Sequence, residues 1–449
     1  MRLSLFPALL FILLMACSTT IKIENSEDIE KKEQELSEKE KTDLIKEDKI
    51  ILKEENEKEV MLGIDLLESK EFSLLKGKKI GLITNQTGVN SRLESTIDIL
   101  SGESSVTLVA LFGPEHGVRG DIEGGKSVEF YIDQKTNLPV YSLYGKNRKP
   151  TDEMLDGIDA LVYDIQDIGV RSYTFISTMG LAIEAASENK IEFILLDRPN
   201  PLGGIKVEGN LVEDEFISFI SQFKIPYVYG LTCGELAQLL VGENMIDISN
   251  DFAITVVPMK NWNRAMRWED TGLEWIPTSP HIPQSITSIF YPMTGILGEL
   301  RSCISIGVGY TLPFQLIGAE WIKPNDLATH LTNMNIPGLT FRPITFKPYY
   351  AFGEQISLKG VQIHVIDYSR TNLIKTQFYI IDALKQLYPG KNLFDMANKN
   401  EIKMFNRAIG SREIYKIIDN DLPFDSLLNF IDKDVENFKT ISNKYHLYE

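Results

Sequence analysis

Four short, continuous apolar runs constrain this chain more than any other feature. They are Lys78-Lys79-Ile80-Gly81-Leu82-Ile83-Thr84, Val106-Thr107-Leu108-Val109-Ala110-Leu111-Phe112, Ala160-Leu161-Val162-Tyr163-Asp164-Ile165 and Phe193-Ile194-Leu195-Leu196-Asp197. Runs of this length without polar alternation suit strands buried on both faces. Helical spacing at Ser95–Leu100 and Met179–Ser187 separates them. Apolar strands alternating with helices predict an α/β fold on a parallel sheet. Past about residue 260 the texture changes. Pro277, Pro280, Pro283 and Pro292 mark a long irregular connection. Ile344–Pro348 and Lys359–Val365 read as strands, and a helical pattern at Ser426–Lys439 closes the chain. This predicts a catalytic-sized α/β domain over 61–270 and a smaller α+β domain over 271–449.

The first sixty residues stand apart. Arg2 precedes a largely apolar run, Leu3 to Met15, which is short for a membrane span. It stops at Ala16-Cys17-Ser18, as a bacterial lipoprotein signal does, so residues 1–16 are expected to be removed and Cys17 to carry a lipid. A plain signal peptide with an incidental cysteine is the alternative. Residues 17–60 are dense in Glu and Lys, with no aromatic, Gly or Pro from Ile21 to Val60. Such a stretch has nothing to bury and reads as a solvated stalk. The location expected is the cell envelope, with the protein held at the membrane. Cys233 and Cys303 alone follow, too few for a disulfide framework and without metal spacing. Over the 449 residues the formal net charge is -17, which argues against a nucleic-acid partner.

Each apolar run ends in a polar cluster, and open parallel sheets bind ligands beyond the carboxyl ends of their strands. The densest cluster is Gly113-Pro114-Glu115-His116-Gly117-Val118-Arg119-Gly120-Asp121. Glu115 beside apolar Phe112 and Pro114 has the surroundings of a general acid. A capped loop whose charges pair with each other is the alternative. Asp164-Ile165-Gln166-Asp167, followed by Arg171 and Tyr173, offers two carboxylates to complete the pair that sugar hydrolysis commonly uses. A helix cap with an Asp–Arg salt bridge explains it equally well. Asp197-Arg198-Pro199-Asn200 places a guanidinium that can clamp a carboxylate, or simply tie strand ends. Asn85 and Gln86 can read hydroxyl or acetamido groups, and His281 sits in the proline-rich connection. Trp262, Trp268 and Trp275 can build a sugar-stacking wall or pack in a core. There is no Gly-x-Gly-x-x-Gly, P-loop, Gly-x-Ser-x-Gly or zinc spacing, so neither cofactor nor metal is expected.

Taken in order, these clusters resemble the NamZ-like exo-β-N-acetylmuramidases, glycoside hydrolase family 171. The blocks are Gly81–Gly88, Gly113–Gly117, Leu138-Pro139-Val140-Tyr141-Ser142-Leu143-Tyr144-Gly145, Asp164–Asp167, Leu196–Pro201 and Val257–Trp262. They run from about residue 62 to Lys444–Tyr448, nearly the whole chain after the stalk. The resemblance implies a Rossmann-like N-terminal domain, an auxiliary C-terminal domain and a site between them. It implies release of N-acetylmuramic acid (MurNAc) from the non-reducing end of peptidoglycan fragments. It implies Glu115 as the catalytic acid, with Asp164 or Asp167 supporting it or the substrate's own acetamido group acting instead. Asn85, His116, Arg119, Asp121, Gln166, Arg171, Tyr173, Arg198, Asn200 and His281 are then expected to bind substrate, an arginine among them meeting the lactyl carboxylate. Gly307-Val308-Gly309-Tyr310 departs from the family pattern, which has an arginine there, and so does Thr278-Ser279-Pro280-His281. The rival readings are a non-catalytic muropeptide-binding lipoprotein and a hydrolase of another N-acetylated sugar.

Overall fold

The computed structural model describes residues 59–120, 130–419 and 422–449. The signal run, Cys17 and nearly all of the stalk lie outside the described residues, as does Asp121. The four apolar runs form β1 (Lys79–Thr84), β2 (Thr107–Gly113), β5 (Ala160–Asp164) and β6 (Glu192–Leu196). They fill the centre of a seven-stranded sheet completed by β3 (Phe130–Ile132), β4 (Pro139–Ser142) and β7 (Ile254–Val257). The order is β3-β4-β2-β1-β5-β6-β7, parallel throughout except for the β3–β4 pair. In register, Thr84 pairs with Asp164 and Ile83 with Phe112, so the central strands end level with one another.

Alternation along each strand divides the apolar side chains between two faces. Ile80, Leu82, Leu111, Val162 and Ile194 face Ile64, Leu67, Ile97 and Leu100 of the short helices Gly63–Ser69 and Thr96–Gly102. Ile83, Phe112, Leu161, Tyr163 and Phe193 face Met179, Ile183, Leu236 and Leu240 of the helices Phe175–Asn189 and Cys233–Gly242. Both faces are covered, which is why β5 is buried along its whole length.

The C-terminal part is a smaller antiparallel sheet, β8-β10-β9, from β8 (Leu316–Ala319), β9 (Leu339–Phe346) and β10 (Leu358–Val365). The helices Pro324–Asn333 and Leu373–Leu387 pack with it, and five shorter α-helices follow among the described residues. One apolar cluster runs from the second face of the large sheet into Ile317, Val361, Phe378 and Phe405. Residues 59–449 therefore pack as one compact unit.

Two buried charges reinforce that shared core. Arg171 follows β5 and donates from Nη1 to the carbonyls of Asn210 (2.6 Å) and Ile225 (2.7 Å). Its Nη2 donates to Ile409 (2.7 Å) and Ala408 (3.4 Å). These last two close the helix Lys399–Ile409, whose final carbonyls have no partner inside the helix. Burial pulls the Arg171 pKa down to about 10. Glu208 does the reverse, accepting the N–H groups of Leu373 (2.6 Å) and Ile374 (3.3 Å) at a helix start. Arg171 is thus a structural clamp and not the substrate ligand expected above. Arg171→Met leaves several buried carbonyls without donors and is expected to lower the stability by about 3 kcal/mol. Urea unfolding of the purified variant against wild type checks this.

Candidate active site

Beyond β2 the chain makes a tight turn, Pro114 to Gly117, closed by the Gly117 N–H on the Pro114 carbonyl at 3.1 Å. Where such a turn takes a positive φ at its third residue, that position normally goes to glycine. Here His116 takes it, at φ 76, and Gly117 follows at φ 77. A side-chain-bearing residue in that region stores roughly 1 kcal/mol or more of strain. The turn lifts Glu115 and His116 off the sheet edge, half-buried, into a cavity of about 610 Å³.

Several other segments wall the cavity. Ser172 and Tyr173 come from the loop after β5, and Tyr144 from the loop after β4. The proline-rich connection supplies His281. It is tied down by Gln86, whose Nε2 donates to the Pro277 carbonyl at 2.9 Å, and by the Tyr173 hydroxyl on Thr278 Oγ1 at 2.8 Å. Tyr291, Glu299 and Arg301 close the far side, from the helix Ser285–Thr294 and the turn after it.

The electrostatics centre on Glu115. Tyr144 hydrogen-bonds its carboxyl group. Burial, and after it the Glu115 charge, push the Tyr144 phenol up, so it stays a donor. His281 lies near both Glu115 and His116. Burial first, then His116, pull its pKa down against the opposing pull of Glu115, which keeps the imidazole largely neutral at pH 7. Its Nε2 sits 3.1 Å from the Tyr350 hydroxyl, with the two rings stacked. Burial pushes Tyr291 up to about 12. The Tyr291 hydroxyl is 3.3 Å from Ser172 Oγ, which is 2.8 Å from the Tyr227 hydroxyl. This chain of hydroxyls fixes the cavity floor.

Of the residues singled out in the sequence, the structure brings Glu115, His116, Tyr173 and His281 together. It does not bring the strand-end aspartates and arginines with them. Asp164 is 0% exposed. Its two oxygens accept Arg198 Nε (2.6 Å) and Nη2 (2.9 Å), and the Thr96 hydroxyl adds a third bond at 2.5 Å. Arg198 also donates to the Val89 carbonyl at 2.7 Å. This closed pair leaves neither partner to a sugar. Asp167 is buried and accepts the Tyr229 hydroxyl and the Gly169 N–H (2.6 Å) on one oxygen, while its Oδ1 has no hydrogen-bond partner among the described residues. Gly169 is required there, since at its φ of +77 a Cβ would lie 2.3 Å from Asn200 Oδ1.

The polar neighbours are engaged in part, with Asn85 Nδ2 and Gln166 Oε1 buried without a hydrogen-bond partner among the described residues. Asn85 accepts from Thr87 N (2.9 Å) and Thr87 Oγ1 (2.5 Å), and Gln166 donates to the carbonyls of Pro199 (2.7 Å) and Asp167 (2.8 Å). Asn200 spans the Leu231 carbonyl and the Leu202 N–H, each at 2.9 Å. Arg119 pairs with Asp133 at 2.6 Å, and that guanidinium holds the Asp133 carboxyl well below the usual range. Trp262 and Trp268 are 4% and 7% exposed and pack edge-on against Tyr448 and Trp275, as core residues and not a sugar wall. Cys233 and Cys303 are buried free thiols.

Tyr144, Tyr291, Glu299 and Arg301 escaped the sequence reading. Tyr144 lies in one of the family-like blocks, but nothing local marks Glu299 and Arg301. Val308, at one departure from the family pattern, also lines the cavity. Among the described residues no cluster of His, Cys, Asp and Glu is arranged to hold a metal ion.

Comparison with known proteins agrees across sequence and structure. The N-terminal family model of exo-β-N-acetylmuramidase NamZ matches residues 80–286, and its C-terminal counterpart matches 289–448. The peptidoglycan β-N-acetylmuramidase NamZ of Bacillus subtilis is 43% identical over 389 residues, 87% of this chain and 91% of that one. Two crystal structures of DUF1343 family proteins from Bacteroides fragilis share the fold. One superposes with a TM-score of 0.84 at 52% identity, covering 87% of this chain and 100% of its own. The other gives 0.68 at 28% identity, covering 87% and 99%.

Burial pushes the Asp167 pKa up to about 7, against the bonds from Tyr229 and Gly169. Unfolded, it falls back to about 4. Between those values the native state holds a proton that the unfolded chain releases, so stability falls as pH rises through the window. The part of that loss due to Asp167 between pH 5 and pH 8 is about 2 to 3 kcal/mol. Asp167→Asn is expected to remove it, as measured by urea unfolding at the two pH values. An unchanged difference between them would contradict the assignment.

Proposed function

Since the chain belongs to the NamZ family of exo-β-N-acetylmuramidases, we propose that Glu115 is the acid at the centre of its active site. The protein is an exo-acting glycoside hydrolase that releases terminal N-acetylmuramic acid from peptidoglycan fragments. What supports the role of Glu115 is its place on the turn after β2, facing the cavity with the Tyr144 phenol bonded to it. The glycosidic C–O bond breaks as Glu115 gives its proton to the departing oxygen. A water then adds to the anomeric carbon and returns a proton to the carboxylate.

Asp164 and Asp167 hold the strand ends behind the cavity and take no part in that exchange. The acetamido carbonyl oxygen of the sugar itself bonds to the anomeric carbon as the aglycone leaves, and the water then displaces that oxygen, a route that asks one acid of the protein in place of two. Glu299, the other carboxylate on the cavity wall, is bonded to Arg301.

The envelope location rests on the N-terminus. The apolar run ending at Ala16-Cys17 supports lipidation of Cys17, and the charged stalk supports display of the enzyme away from a membrane surface. Among the described residues no helix is long and apolar enough to cross a membrane. Cys17→Ala is expected to move the protein from the membrane fraction to the soluble one and to abolish labelling by a clickable fatty acid. Labelling that persists would sink the lipid anchor.

Glu115→Gln is expected to cut kcat on a chromogenic MurNAc glycoside by about a hundredfold or more, with the unfolding transition retained. Activity within about tenfold of wild type would remove Glu115 from the acid role.

A further inference from the structure

The sugar released here differs from N-acetylglucosamine (GlcNAc) by a lactyl carboxylate, and this cavity is an unfavourable place for an anion. Glu115 and Glu299 both line it, and the chain as a whole carries a net charge of -17. An anionic substrate group needs a cation at the point of contact. His281 is held largely neutral. The arginines that the sequence offered for this role are engaged elsewhere: Arg198 by Asp164, Arg119 by Asp133 and Arg171 by four carbonyls.

We propose that Arg301, oriented by Glu299, recognises the lactyl carboxylate and so selects MurNAc over GlcNAc. This assignment rests on the muramidase reading of the cavity. Arg301 is on the cavity wall, yet its side chain is 70% exposed, so it stands at the mouth where a bound sugar would meet it. Its Nη2 donates to Glu299 Oε2 at 3.2 Å. A guanidinium carries five N–H donors in a rigid fork, and this contact uses one of them. The opposite edge of the fork can take a carboxylate through two parallel bonds.

Glu299 is a positioning residue. Its side chain is 23% exposed, and its bond to one edge of the guanidinium fixes the direction of the other. Burial raises the Glu299 pKa, and the Arg301 guanidinium opposes that rise. Tyr291 feels the charges of both Glu299 and Glu115. Glu115, Tyr291, Glu299 and Arg301 line the same cavity, so one sugar with its aglycone can meet both the carboxylate-reading and the proton-donating groups.

The test uses the full chain with two chromogenic MurNAc glycosides, one with a free lactyl carboxylate and one with that group as a primary amide. Wild type is expected to favour the acid, and Arg301→Gln to lower the acid-to-amide ratio of kcat/KM by about thirtyfold, chiefly through KM. Arg301→Lys restores part of the ratio, because a point charge remains without the fork. Glu299→Gln lowers the ratio less than Arg301→Gln does. An acid-to-amide ratio that stays within threefold of wild type in Arg301→Gln would overturn the assignment while leaving the muramidase reading intact. A wild-type enzyme that cleaves neither glycoside would overturn both.

Discussion

A parallel sheet releases the carboxyl ends of all its strands at one edge, where the backbone loses its ladder partners. Buried N–H and C=O groups must then be met by side chains. In this protein three of the four central strand ends are consumed by that need. Thr84 donates to the Asp164 carbonyl, Thr87 receives the Gln166 N–H, and Arg198 grips Asp164 and the Val89 carbonyl. The ends of β1, β5 and β6 are knitted into a buried polar layer. The end of β2 is the exception. Its turn carries His116 and Gly117 through positive φ and lifts Glu115 clear of the layer. The acid we propose for catalysis sits where the edge is left open.

The same constraint explains what the sequence could and could not disclose. The four central strands were legible because burial on both faces demands continuous apolar runs. The outer strands β3, β4 and β7 were not, since each is short and partly exposed and carries no such run. At the strand ends, Asp164-Ile165-Gln166-Asp167 and Asp197-Arg198 have the composition of an active site. Their chemistry is spent on closing the edge, and a motif of acids and arginines looks the same in either use. Glu299 and Arg301 carried no local pattern, because they lie on a segment distant in sequence that folds to line the same cavity as Glu115. Tertiary packing alone joins them.

Rigidity is the further consequence. The cavity draws its walls from the large sheet and from the segment that leads into the small one, so its geometry depends on how firmly the two parts are held. One apolar cluster spans both. Arg171 and Glu208 each reach from the sheet side to a helix end of the C-terminal part. Gln86 and Tyr173 pin the connection that bears His281. Fixed donors around a small water-accessible space are what electrostatic stabilisation of a charged transition state requires.

A crystal structure of the Glu115→Gln variant with an uncleaved MurNAc-GlcNAc disaccharide tests the central claim most directly. The expected result is a glycosidic oxygen about 3 Å from the side-chain amide at position 115, within hydrogen-bonding reach. A disaccharide bound instead at the closed edge beside Asp164 and Arg198, with position 115 remote from the scissile bond, would contradict it.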